Sequence, residues 1–164
     1  MSREVIIRPL DAEAFAPFGE VIEARGVPSA MINQGKCARF TDLAALDFAD
    51  GRAGISVFEG QSYALPLALT MMERHPLGSQ AFLPLSDDPF LVIVAPDQEG
   101  VPGVPQAFLT MPGQGVNYRR NVWHGVLTPL ERAGRFAVID RIGEGNNLEE
   151  YWFEQPWRVL ENTG

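Results

Sequence analysis

Two histidines stand in this sequence, His75 and His124, and each is surrounded by residues able to hold a cation or move a proton. The first lies in Met72-Glu73-Arg74-His75-Pro76-Leu77-Gly78-Ser79-Gln80, the second in Tyr118-Arg119-Arg120-Asn121-Val122-Trp123-His124-Gly125. Side chains alternate faces along a strand, so Glu73 and His75 share a face and Arg74 points the other way. After a turn at Pro76–Gly78, Gln80 can return to that face on the next strand. A carboxylate, an amide oxygen and two imidazoles meeting there would form a divalent-metal site of mixed nitrogen and oxygen ligands. Chance spacing along an ordinary strand is the alternative for the Glu73–His75 pair. Asp140, closing Phe136-Ala137-Val138-Ile139-Asp140, is a second carboxylate candidate; a strand-end ion pair with Arg141 is its plainer role.

The elements that must position these groups are short and extended. Sixteen glycines and 13 prolines are spread along the chain and divide it into brief apolar runs, the pattern of an all-β barrel or sandwich. Strands are expected at 5–7, 20–23, 54–58, 67–72, 80–85, 90–95, 107–111, 122–127 and 136–140. Three short helices are expected: Ala12–Phe15 capped by Asp11, Leu43–Phe48 capped by Thr41 or Asp42, and Leu148–Phe153 capped by Asn147. The long crossover helices of a parallel α/β sheet are missing. A jelly-roll barrel and an immunoglobulin-like sandwich remain, and 1–164 reads as a single domain.

Composition narrows the classes of function. A formal net charge of −8 argues against a nucleic-acid surface, and no basic amphipathic stretch suggests a membrane surface. No apolar run approaches the ~20 residues of a spanning helix, and no signal-like core follows Met1-Ser2-Arg3-Glu4, so a cytoplasmic protein is expected. The lone Cys37 excludes an internal disulfide and reads as a small packed residue rather than a nucleophile.

The two histidine segments resemble the cupin motifs, with Glu73 in the place of the first histidine, His75 the second, Gln80 the glutamate and His124 the late histidine. A closer resemblance is to the ureidoglycolate lyases. It is carried by Glu73-Arg74-His75-Pro76-Leu77-Gly78 with Gln80-Ala81-Phe82, and by Gln114-Gly115-Val116-Asn117-Tyr118 with Arg120-Asn121-Val122-Trp123-His124. Ile32-Asn33, Gly35 and Ile139-Asp140-Arg141 add to it, and it spans about residues 5 to 142. The resemblance implies a cupin-type jelly-roll homodimer. Its activity would be cleavage of (S)-ureidoglycolate to glyoxylate and urea, with a divalent metal for which nickel is a candidate.

That substrate carries a hydroxyl, a carboxylate and a ureido nitrogen on one carbon. Glu73, His75, Gln80 and His124 are expected around the reacting carbon, directly or through a metal, with His124 or Glu73 as general base and Asp140 as a further catalytic candidate. A fork of arginine donors suits the substrate carboxylate. Arg39, Arg119, Arg120 and Arg141 are the candidates, with Lys36 as a point charge. Asn33, Tyr118 and Asn121 can hydrogen-bond the ureido group, while Trp123 reads as packing. Two other functions compete. Glu73, His75 and His124 also form the two-histidine, one-carboxylate set of iron oxygenases, and a barrel that has lost its metal would only bind its metabolite.

Overall fold

A computed structural model describes residues 2–164. In chain order the strands begin with β1 (Glu4–Ile6), β2 (Arg8–Pro9), β3 (Gly19–Ile22), β4 (Ala30–Ile32), β5 (Cys37–Arg39) and β6 (Arg52–Gly60). They continue with β7 (Leu67–Arg74), β8 (Gln80–Pro84), β9 (Phe90–Ala95), β10 (Asp97–Gln98), β11 (Val101–Pro102) and β12 (Gln106–Leu109). The last five are β13 (Gly115–Tyr118), β14 (Trp123–His124), β15 (Thr128–Pro129), β16 (Gly134–Ile142) and β17 (Glu149–Leu160). One helix, α1 (Ala12–Phe15), is present among the described residues, capped by Asp11 through its carboxylate and the Ala14 N–H at 3.0 Å.

Two sheets build the barrel. The larger runs β1-β17-β7-β14-β9-β12-β2, with β15 also paired to β9; the smaller runs β3-β13-β8-β16-β6. Strand β9 is buried along its whole length, which accounts for its unbroken apolar run. Its Phe90, Val92 and Val94 meet Phe82, Val116, Tyr118, Phe136 and Val138 of the smaller sheet in one core. Leu91, Ile93 and Ala95 point into a second core on the other face, with Val5, Ile7, Met72, Trp123 and Val159. The N-terminal segment closes this second core: β1 runs parallel to β17 and β2 parallel to β12, so a few consecutive residues join both edges of the larger sheet. The architecture is the all-β, cupin-type jelly-roll expected, and the immunoglobulin-like alternative falls away.

Two expected helices do not form. Residues 43–48 are irregular, held as a strap by hydrogen bonds such as Asp47 N–H to Ser79 Oγ and Ser79 N–H to Asp47 O. Residues 148–153 lead instead into β17, where Tyr151 and Phe153 pack on the second core. Residues 153–156 bulge out of the β17–β7 ladder, at a proline that cannot donate to it. The strand expected at 122–127 shrinks to β14, and the one at 107–111 ends at Leu109.

Candidate active site and metal centre

Parity along β7 and β14 decides what faces the space between the sheets. Met72 and Trp123 enter the second core, so Glu73 and His124 must point the other way, towards the smaller sheet. They are directly opposite one another in the β7–β14 pair, and Glu150 of β17 is opposite Glu73 on its other side. Across the gap, the smaller sheet presents Tyr118, Gln80 and Asp140 as successive cross-strand partners. A row of three residues on each sheet, with His75 at the end of β7, makes the site.

The potential ligand atoms of Glu73, His75 and His124 all lie within 4.8 Å of one another, and the two imidazole centroids are 5.1 Å apart. His75 Nδ1 is 2.8 Å from the Asn147 carbonyl, and His124 Nδ1 is 2.9 Å from the Gly125 carbonyl. A carbonyl only accepts, so each Nδ1 carries a proton; the neutral ring of His124 then keeps its lone pair on Nε2, as a neutral His75 would. His124 Nε2 is buried with no hydrogen-bond partner. Gln80 donates from Nε2 to Asp140 at 3.1 Å, which turns its Oε1 towards His75 Nε2, also at 3.1 Å. His75 Nε2 and Gln80 Oε1 thus meet beside the orphaned Nε2 of His124. A divalent cation answers that arrangement, and imidazoles that donate their other N–H to carbonyls are typical of metal-bound histidines.

The electrostatics point the same way. Burial holds the His124 imidazole neutral, with its pKa down to about 3, and His75 beside it adds a smaller push in that direction. Burial also raises the Glu73 carboxyl; His75 opposes this and Glu150 adds to it. The charged form of each group lacks solvation here, and a bound cation would compensate the carboxylate while using the neutral imidazole as it is. Tyr118 is stacked flat on His124, with centroids 4.3 Å apart and planes 4° from parallel. Burial, and secondarily the Glu73 charge, raises its hydroxyl pKa, so Tyr118 remains a neutral donor.

The remaining candidates divide clearly. Arg120 sits beside the centre: its Nε donates to Pro76 O at 2.6 Å, and the Asn121 N–H donates to His75 O at 2.9 Å. Asn121 itself is an exposed left-handed turn residue, φ 67°. Asn33 is exposed at the tip of the separate β4–β5 ribbon, and Arg39 on the same ribbon bonds Thr41. Lys36 and Cys37 share that ribbon and its turn. Arg119 is spent on the Pro17 and Ala16 carbonyls. Arg74 points away as expected, stacked 4.3 Å over Trp123 and bonded to Asp97 and Glu149.

Asp140 reaches Gln80 and not Arg141. Arg141 turns back from the site to the Phe48 and Glu144 carbonyls and the Asp50 carboxylate. Asn147 and Glu150 were not singled out for the site from the sequence. Both come into it because β17 pairs with β7, a long-range register that no local pattern announces.

A cupin-type barrel with a histidine–carboxylate centre at the mouth between its sheets is the class these features define. Within that class, the family model described as ureidoglycolate lyase matches residues 2–160, further into the C-terminal segment than the motifs alone reached. A ureidoglycolate lyase of Rhodobacter capsulatus is 62% identical over 156 residues, covering 94% of this chain and 97% of the relative. One from Chelativorans sp. is 57% identical over 159 residues, 96% of each chain. The ureidoglycolate lyase 2 of Rhizobium meliloti is 56% identical over 155 residues, 93% of this chain and 95% of its own. This chain belongs to the ureidoglycolate lyase family.

Proposed function

We propose that this lyase cleaves ureidoglycolate into glyoxylate and urea at the centre formed by Glu73, His75, Gln80 and His124, which would hold a divalent metal. Membership of the family supports the reaction and sets the oxygenase alternative aside. One observation carries the site: the buried, unpartnered Nε2 of His124 within reach of His75 and Glu73. When bound, a divalent cation supplies Lewis-acid polarisation of the substrate oxygens.

The chain's own residues supply the rest. Arg120, tethered by Nε to Pro76, keeps its outer guanidinium nitrogens for the substrate carboxylate; Asp47 approaches one of them at 3.8 Å. Tyr118 and Asn121 flank the centre as donors to the ureido group. Glu73 has two carboxylate oxygens, so it can face the cation through one and carry a proton on the other. It takes the proton of the substrate hydroxyl, and the O–H electron pair becomes the new carbonyl bond. The carbon–nitrogen bond breaks with its electrons on nitrogen, and Glu73 returns the proton there to release urea. A carboxyl whose pKa is raised by burial is suited to both halves of that transfer, worth about 10²–10⁴-fold in rate. Gln80 and Asp140 hold His75 and the centre in register. Asn33 and Arg39 would join the site only through movement of the β4–β5 ribbon.

The same reading takes the enzyme to be a cytoplasmic homodimer acting on a small anionic metabolite, with nickel as the candidate metal. The deciding experiment incubates metal-stripped protein, and protein reloaded with nickel, manganese or zinc, with racemic ureidoglycolate. Equimolar urea and glyoxylate that depend on metal support the proposal. Ammonia in place of urea, or full activity in the stripped protein, refutes the reaction or the metal respectively. A monomer mass by light scattering at assay concentration would refute the dimer.

A further inference from the structure

Each ring nitrogen of His75 faces an acceptor, so in its neutral form the two compete for one proton. The Asn147 carbonyl lies 2.8 Å from Nδ1, and Gln80 Oε1 lies 3.1 Å from Nε2. Asp140 keeps Gln80 from turning over, because its carboxylate requires the Gln80 NH₂. If Gln80 won the proton, Nε2 would become a donor and could hold no cation. The Asn147 carbonyl opposes this by taking the proton at Nδ1.

That carbonyl is not left to chance. The Asn147 side chain accepts from the Leu77 N–H through Oδ1 at 2.7 Å. One residue therefore grips His75 and Leu77 on either side of Pro76, which has no N–H of its own. The flanks are anchored as well. Arg141 Nη2 holds the Glu144 carbonyl at 2.9 Å, and Glu149 pairs with Arg74 at 2.7 Å.

We infer that Asn147 is a positioning residue: its side chain staples the β7–β8 turn so that its own carbonyl fixes His75 as the Nδ1–H tautomer, leaving Nε2 free as a ligand. The metal-affinity consequence rests on the metal centre proposed above; the tautomer does not. Outer-shell partners of this kind commonly change metal affinity 10–100-fold.

Long-range ¹H–¹⁵N correlation of the His75 ring in metal-free protein, with nickel titrated by calorimetry, tests the inference. Wild type is expected to show Nδ1 protonated and Nε2 bare. In Asn147→Ala the population should move towards Nε2–H, with nickel bound about 10–100-fold more weakly. Asn147→Asp keeps an oxygen for the Leu77 N–H and should restore both readouts. A wild-type His75 protonated at Nε2 overturns the inference with no variant needed. So does a folded Asn147→Ala protein, or an Asn147→Ser protein should alanine not fold, with wild-type tautomer. A wild type that binds no nickel while its tautomer still depends on Asn147 refutes the metal reading and sustains the positioning role.

Discussion

Arg141 should carry stability and not substrate binding, and the size of the effect can be worked out bond by bond. Its side chain is 3% exposed, with Nε 3.0 Å from Phe48 O and Nη2 2.9 Å from Glu144 O. Three glycines make room for it. A Cβ on Gly51 would lie 2.7 Å from its Cγ, one on Gly78 2.7 Å from its Cβ, and one on Gly143 2.8 Å from its Cζ. Arg141→Met keeps much of the stem but removes the charged donors, stranding two backbone carbonyls. Bonds from a charged donor are worth roughly 1.5–3 kcal/mol each, so the loss should be about 3–6 kcal/mol. The Asp50 end lies on the surface, its side chain 90% exposed, and adds nothing to that figure. Set against a total of about 5–15 kcal/mol for a domain, this is a large fraction. With a urea slope near 2 kcal/mol/M, the unfolding midpoint should fall by roughly 1.5–3 M. A midpoint unchanged in Arg141→Met, together with a raised KM for ureidoglycolate, would refute this reasoning and make Arg141 the carboxylate receptor.

Glu73→Gln and His124→Ala should each lower lyase turnover by at least ~10²-fold with the fold retained by circular dichroism; near-normal kcat in both would remove the centre from the mechanism. Acid should weaken the metal-free protein in a way that depends on His124. The buried imidazole stays neutral to about pH 3 while the unfolded chain takes up its proton near 6.5. Stability therefore falls with pH across that window, by up to about 1.4 kcal/mol per unit. Urea unfolding of wild type and His124→Gln at several pH values checks it; parallel slopes would contradict it.

The barrel was largely legible because its strands are short apolar runs between glycine and proline turns. Phe90–Ala95 and the start of Gln80–Pro84 fell where the residues placed them. The two helices misread at 43–48 and 148–153 share one cause: both segments have helix-compatible composition and a capping residue, but tertiary partners claim their backbones. Ser79 and Arg141 hold the first, and β7 recruits most of the second as a strand. At the site, alternation on β7 correctly separated Glu73 from Arg74, since that is a local property of one strand. The part played by Glu150 and Asn147 was invisible, because a register between distant strands leaves no trace in either segment alone. Trp123 read properly as packing for the opposite reason: it alternates with His124 on the same two-residue strand.

The tie between β1 and β17 sets a timetable for biosynthesis. Residues 4–6 are made about 150 residues before their partners at 158–160. At ordinary elongation rates that leaves the second core without its lid for roughly 10–30 s, and for about the later half of that interval β7 shows a bare edge and His75 has no carbonyl to orient it. Nascent chains in this interval are the species a holding chaperone would meet, and their acidic character is then a safeguard against one another. Closure of the barrel and completion of the proposed centre become a single late event, so a chain released early would be sticky and would lack that centre.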